Sequence, residues 1–236
     1  VFDVATGELK AEIAPPVDVA GGTFWKWMAL EGNVLYALIG DQEKRDPTIR
    51  ARRDSHGWPW DPLSPGFNQA EQPWGFGKTL LAIDLASKQV LWRYHEDRPM
   101  DARAVCLKNG RLYAFSFGNY LTCVDAKTGG QIYRHTKVNA PQVFETLGEY
   151  QNRQDWRSNW RTTALLRCSD QALYFAGPAM QRLVALAADN GKPLWSHPYS
   201  NYQLILQGDS LYAISGQIDG EVSRRFNPLT GEIQAE

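Results

Sequence analysis

The sequence predicts an all-β fold, a β-propeller of four-stranded antiparallel blades, with about four blades and a half-blade present. Three observations predict it. Leu121–Tyr133 reads as an apolar strand, a turn through Asp125, Thr128 and Gly129, and a second strand ending in an aromatic residue; Leu80–Trp92 and Leu183–Trp195 repeat that order. A second unit, a polar turn leading into a strand with a Leu-Tyr pair, recurs at Gly32–Ala37, Asn109–Ala114, Asp170–Phe175 and Gly208–Ala213. The Asp-type positions Asp3, Asp84, Asp125, Ala187 and Asn227 follow a basic period of roughly 40 residues, the length of four short strands with their turns.

Each unit has a physical reason. The runs before the Asp are rich in Leu, Val and Ile, which suit a pleated, half-buried surface. An Asp carboxylate accepts backbone N–H groups across a tight turn, and the Gly that follows takes a positive φ without a Cβ clash. Two copies depart from this: Lys88 replaces the Gly and Ala187 replaces the Asp, so weaker turns are expected there. The units at Phe2–Glu8 and Phe226–Glu232 are partial copies.

Taken in order, residues 1–14 supply the last two strands of an incomplete blade, and Pro15-Pro16 marks its exit. Blade one begins near Thr23, is interrupted by residues 41–77, and resumes at Leu80–Trp92. Blade two covers about Ala102–Lys137. A second insertion, 139–159, includes a helical turn at Val143–Leu147. Blade three covers about Arg161–His197, and blade four runs from near Tyr202 to the end. Strand parity sends both insertions to one face of a single, partial propeller. The short Asn-Gly and Thr-Gly turns take the other face.

The pattern Ala/Cys-x-Asp-x-x-Thr-Gly-x-x-x-Trp resembles the tryptophan-docking repeat of the pyrroloquinoline-quinone-like, or quinoprotein alcohol dehydrogenase-like, β-propellers. That superfamily holds quinoprotein dehydrogenases and the propeller lipoprotein of the outer-membrane barrel-assembly machinery. Related propellers commonly have eight blades, so the resemblance implies a piece of a longer protein; the alternative is a small propeller closed by its N-terminal half-blade. It also implies a secreted or periplasmic bacterial location, and a cofactor on the long-loop face where the relative is an enzyme.

Composition narrows the rest. The 236 residues carry a formal net charge of −1, which gives no basis for nucleic acid as a partner. No apolar run approaches the roughly 20 residues of a membrane span. The cysteines Cys106, Cys123 and Cys168 all fall on expected strands. Cys106 and Cys123 sit on the first and third strands of one blade, two spacings of about 4.8 Å apart, too far for a relaxed disulfide. Free, buried thiols are expected, and no CxxC pair suggests zinc.

The candidate recognition residues cluster on the insertion face. The first insertion brings Lys44, Arg45, Arg50, Arg52, Arg53, His56, Trp58, Trp60 and Trp74, and the second brings Trp156, Arg157 and Trp160. Arg and Trp are the side chains that recognition surfaces favour. The alternative use is rim packing by the Trp residues, with the Arg charges offset by the loop's own acids. Aligning the Leu-Tyr anchors places Lys26, Arg103, Ala164 and Tyr202 at one position near the channel mouth. Lys26, Arg103 and Arg161 would make that mouth positive, or lie there as ordinary solvated rim charge, with Asp101 a candidate partner for one of them. His95, His135 and His197 fall at outer-strand ends pointing apart, unsuited to one metal.

These features predict a non-catalytic binding scaffold, engaging a protein partner or a small, sugar-like ligand through the insertion face. No cofactor is expected. The alternative is part of a dehydrogenase oxidising an alcohol or sugar with PQQ and calcium. The resemblance would then imply a vicinal Cys-Cys disulfide, a Trp floor under the quinone, a catalytic Asp and calcium ligands. This sequence has no adjacent cysteines and no Asp assignable by motif. A third reading is a sugar-binding module that stacks on Trp58, Trp60 and Trp74.

Overall fold

A computed structural model describes residues 1–16, 22–41, 75–149, 165–177, 180–200, 202–215 and 222–236. Within these residues sixteen strands form four antiparallel sheets of four, each a simple meander. Blade one is β1 (Phe24–Glu31), β2 (Val34–Gly40), β3 (Phe76–Asp84) and β4 (Val90–Asp101). Blade two is β5 (Val105–Lys108), β6 (Arg111–Ser116), β7 (Tyr120–Asp125) and β8 (Gln131–Thr136). Blade three is β9 (Leu166–Cys168), β10 (Ala172–Phe175), β11 (Leu183–Ala187) and β12 (Pro193–His197). Blade four is β13 (Tyr202–Gln207), β14 (Ser210–Ser215), β15 (Arg224–Phe226) and β16 (Ile233–Ala235). The expected β-propeller architecture is the one observed.

The middle strands of the first three blades are buried on both faces, and consecutive blades share cores. Tyr36, Leu80 and Ala82 of blade one pack with Leu112, Ala114 and Val124 of blade two. Tyr113, Phe115 and Leu121 pack with Leu173, Phe175 and Val184 of blade three. Tyr174 and Ala185 meet Leu204, Leu211 and Phe226 of blade four. The Tyr of each Leu-Tyr pair thus points into the following blade. In blade four the equivalent Tyr212 is only half-buried, and Ile205 and Ile214 on the same face are exposed.

One hydrogen-bond pattern recurs at four of the five Asp-type turns, and the Asp84 turn keeps only its first bond, Asp84 N to Gln89 O (3.0 Å). Asp125 N donates to Gly130 O (2.8 Å) and Gly129 N to Asp125 O (2.8 Å). The same pair of bonds closes the Asp3, Ala187 and Asn227 turns. Asp3, Asp84, Asp125 and Asn227 each also accept, through Oδ1, the backbone N–H three residues on. Ala187 lacks that acceptor, and Lys88 sits at φ 57° where other copies have Gly, so both turns forgo part of the pattern as expected.

These turns are also docking points. Trp92 Nε1 donates to Ala126 O at 2.8 Å, and Trp195 Nε1 to Pro228 O at 2.9 Å. Each indole covers the turn glycine of the next blade: a Cβ at Gly129 would lie 2.7 Å from the Trp92 ring, and one at Gly231 2.5 Å from Trp195. Between blades two and three, Tyr133 and His135 stack (4.9 Å, 17°) and do the same work together. Tyr133 Oη donates to Ala188 O at 3.4 Å, and the His135 ring lies over Gly191.

The N-terminal copy is reduced. Instead of the two strands expected over 1–14, a single bridge joins Phe2 and Leu9 around the Asp3 turn. The helical turn expected at 143–147 is a helix, α1 (Pro141–Leu147), whose Val143, Phe144 and Leu147 are buried on the blade two–three core.

Candidate functional site

The meander gives the molecule two unlike edges. At one edge every connection is short: Gly32–Asn33, Asn109–Gly110 and Gly208–Asp209 link first and second strands, and the Asp-type turns link third and fourth. At the other edge leave the connections of residues 41–75, 137–165 and 216–223. The innermost segments are tied together there. Ala102 N donates to Gly75 O at 2.8 Å, and Leu165 N to Arg103 O at 2.8 Å.

The strongest electrostatic feature of that edge is a buried ion pair. After β4 a short 3₁₀ turn (Ala102–Ala104) begins, capped by Asp101, whose Oδ1 accepts Arg103 N at 2.9 Å. The turn folds the Arg103 side chain back onto the same carboxylate. Nε donates to Oδ1 at 3.0 Å and Nη2 to Oδ2 at 2.6 Å. The side chains are 5% and 1% exposed. Arg103 is therefore not solvated rim charge; its charge is met by Asp101, and the pair fixes the crossing from blade one to blade two. Forked guanidinium–carboxylate geometry of this kind is worth its desolvation only when nearly complete.

Lys26 lies elsewhere in the register than the sequence alignment suggests. β1 has a bulge between Trp25 and Trp27, so Trp25 faces Ile39 and Trp27 faces Leu38, with Lys26 between them. Tyr202 of blade four faces Ser215. The residue matching Tyr202 is accordingly Trp25, and the bulge is the physical reason for the one-residue error. Lys26 Nζ stands 6.0 Å from the Phe24 ring centroid. Arg52, Arg53, His56, Trp58, Trp60, Trp74, Trp156, Arg157, Trp160 and Arg161 lie outside the described residues, as does Ala164.

Other polar side chains are engaged in holding blades. Arg134 of β8 donates to Glu96 of β4 through Nε (2.8 Å) and Nη2 (3.0 Å). Tyr94 Oη donates to Glu96 at 2.6 Å and stands 3.0 Å from Thr122 Oγ1. Burial, reinforced by Glu96, pushes the Tyr94 phenol up to about 12. The histidines are separate: His95 Nδ1 is 2.8 Å from Thr79 Oγ1, His135 Nε2 is 2.6 Å from Asn190 O, and His197 packs edge-on against Phe226. Among the described residues no group of three or more His, Cys, Asp or Glu is placed to share a metal ion.

The cysteines are free, on β5, β7 and β9. Cys123 is buried on the third strand of blade two, and burial pushes its thiol up to about 12. Cys106 and Cys168, on neighbouring strands of blades two and three, lie close to one another across the core that the two blades share. That pairing joins different blades and was not visible from spacing within one blade.

Fold and edges together define a β-propeller. No protein-family model and no curated protein matches the chain. Among solved structures, the computationally designed Ika4 protein is similar at TM-score 0.50 and 9% identity, over 93% of this chain and 99% of that one. The designed Ika8 protein matches at TM-score 0.45 and 10% identity, over 89% of this chain and 45% of that one. BamB from Moraxella catarrhalis matches at TM-score 0.40 and 13% identity, over 68% of this chain and 49% of its own. The chain thus spans less than half the length of both Ika8 and BamB, and likeness at these identities concerns the fold alone. Among the described residues no helix is long and apolar enough to cross a membrane.

Proposed function

We propose that this propeller is a recognition scaffold, binding a protein partner through the edge that carries its long connections. The observation that supports this reading is the asymmetry of the two edges. Short hydrogen-bonded turns occupy one edge and serve blade docking, while chain length and the Arg- and Trp-rich segments are spent at the other. Binding residues concentrate on loops held by a rigid frame. The described polar groups near that frame are committed to structure: Asp101 to Arg103 and Glu96 to Arg134.

Two observations favour this reading over the quinoprotein alternative. Asp101, the most deeply buried described carboxylate, is held by a guanidinium instead of being open to calcium or to a substrate hydroxyl. Adjacent cysteines are absent from the sequence. Membership of the pyrroloquinoline-quinone-like propellers and a periplasmic or extracellular location rest on the repeat resemblance, and belong to this proposal.

The test replaces residues 42–74 with a short Gly/Ser linker and follows both folding and binding. The replaced protein should keep its sheet circular dichroism and cooperative melting. A photo-crosslinking residue at Trp58 or Trp60 of the parent should capture a protein partner that the replaced protein no longer binds. Undiminished binding of that partner after replacement would overturn the assignment of the edge.

A further inference from the structure

Every cysteine of the chain faces the seam between blades two and three. Cys106 and Cys123 both oppose Tyr113, one from β5 and one from β7, so all three side chains share the face that meets blade three. Cys168 opposes Leu173 on β9, a residue of the same shared core, and so faces blade two. β5 and β9 pack directly against one another. Cys106 and Cys168 are both partly buried and are neighbours across the seam, whereas Cys123 is fully buried.

We propose that Cys106 and Cys168 are a redox modification site: a dithiol that closes into a disulfide across the seam of two blades. The oxidant is a low-molecular-weight disulfide or a protein dithiol–disulfide exchanger. One thiol loses its proton to solvent and attacks a sulfur of the oxidant, releasing one thiol and leaving a mixed disulfide. The second cysteine, deprotonated in turn, attacks the protein-side sulfur and releases the second thiol. Two electrons pass from the cysteine pair to the oxidant, and two protons end on the released thiols. The bond would link the innermost strands of neighbouring blades and close a loop containing the rest of blade two and α1.

Burial raises the Cys106 thiol well above its usual range, as does its contact with Cys168. The thiolate fraction is therefore small at neutral pH, so closure is slow. Exchange should accelerate as pH rises.

The experiment treats the folded protein with oxidised glutathione at pH 8.5, quenches free thiols by alkylation, and maps peptides without reduction. The result expected is a species about 2 Da lighter, with Cys106 and Cys168 joined and Cys123 alkylated once unfolded. Oxidation should raise the melting temperature by several degrees, reversed by dithiothreitol. Cys123→Ser should leave the link intact, and Cys168→Ser should abolish it. Three alkylatable thiols after prolonged oxidation, or a link that includes Cys123, overturns the proposal. The peptide map of the unmodified protein decides the matter even if a variant fails to fold.

Discussion

Asp125 governs its turn through one oxygen. Oδ1 accepts Thr128 N at 2.8 Å and Thr128 Oγ1 at 2.8 Å, and these bonds hold the carboxyl below its usual range. The folded pKa is lower than the unfolded one, so the stabilisation is complete above the unfolded value of about 3.9 and disappears as pH falls through the folded value. Asp125→Ala should cost about 1 kcal/mol near neutrality. The gap between parent and variant, measured by urea denaturation, should hold from about pH 7 to pH 5 and narrow below about pH 4. A gap unchanged at pH 2 would show that the ionised carboxylate contributes nothing. Gly129 acts differently: at φ 72° and with the Trp92 ring above it, both backbone and space exclude a side chain. Lys88 takes the same conformation with a Cβ, at a cost of about 1 kcal/mol.

At the scale of elements, blades one and two are held by more than their shared core. Glu96 and Arg134 form a bridged pair, 9% and 33% exposed, with the Arg134 guanidinium also 4.6 Å from the Tyr120 ring centroid. An exposed pair such as Lys108–Asp170 contributes at most about 1 kcal/mol. Arg134→Ala leaves Glu96 and Tyr94 with an uncompensated buried charge and should cost about 3 kcal/mol, the low end of the buried range because Arg134 is partly wet. Adding Glu96→Leu should recover part of the loss; a double variant as unstable as the single one would contradict the charge explanation. The elements themselves were legible in the sequence. Leu-Tyr pairs and Asp-type turns place every middle strand, because each depends on local chemistry: alternation, a carboxylate, a glycine. The bulge at Lys26 was not legible, since an inserted residue leaves apolar alternation almost unchanged. The burial of Arg103 was missed for a related reason: a 3₁₀ turn after β4 folds it back two residues, and strand spacing carries no sign of that. The Cys106–Cys168 contact is fixed by the packing of neighbouring blades, which no within-blade spacing reports. The insertion residues, from Arg52 to Trp74 and from Trp156 to Arg161, lie outside the described residues, so their assignment rests on composition and strand parity.

For the whole molecule, three interblade cores and a repeated docking of Trp92, Tyr133–His135 and Trp195 onto the next blade's turn make a frame whose parts are nearly all structural. On the proposed reading, recognition takes place at the edge with the long connections, without quinone chemistry. The most direct measurement is a titration of the protein, and of the longer parent if the chain is a segment of one, with PQQ in the presence of calcium, read by tryptophan fluorescence. The account predicts no saturable quench at micromolar PQQ and no dependence on calcium. A saturable, calcium-dependent quench with one equivalent bound would contradict it and move the chain to the dehydrogenase reading.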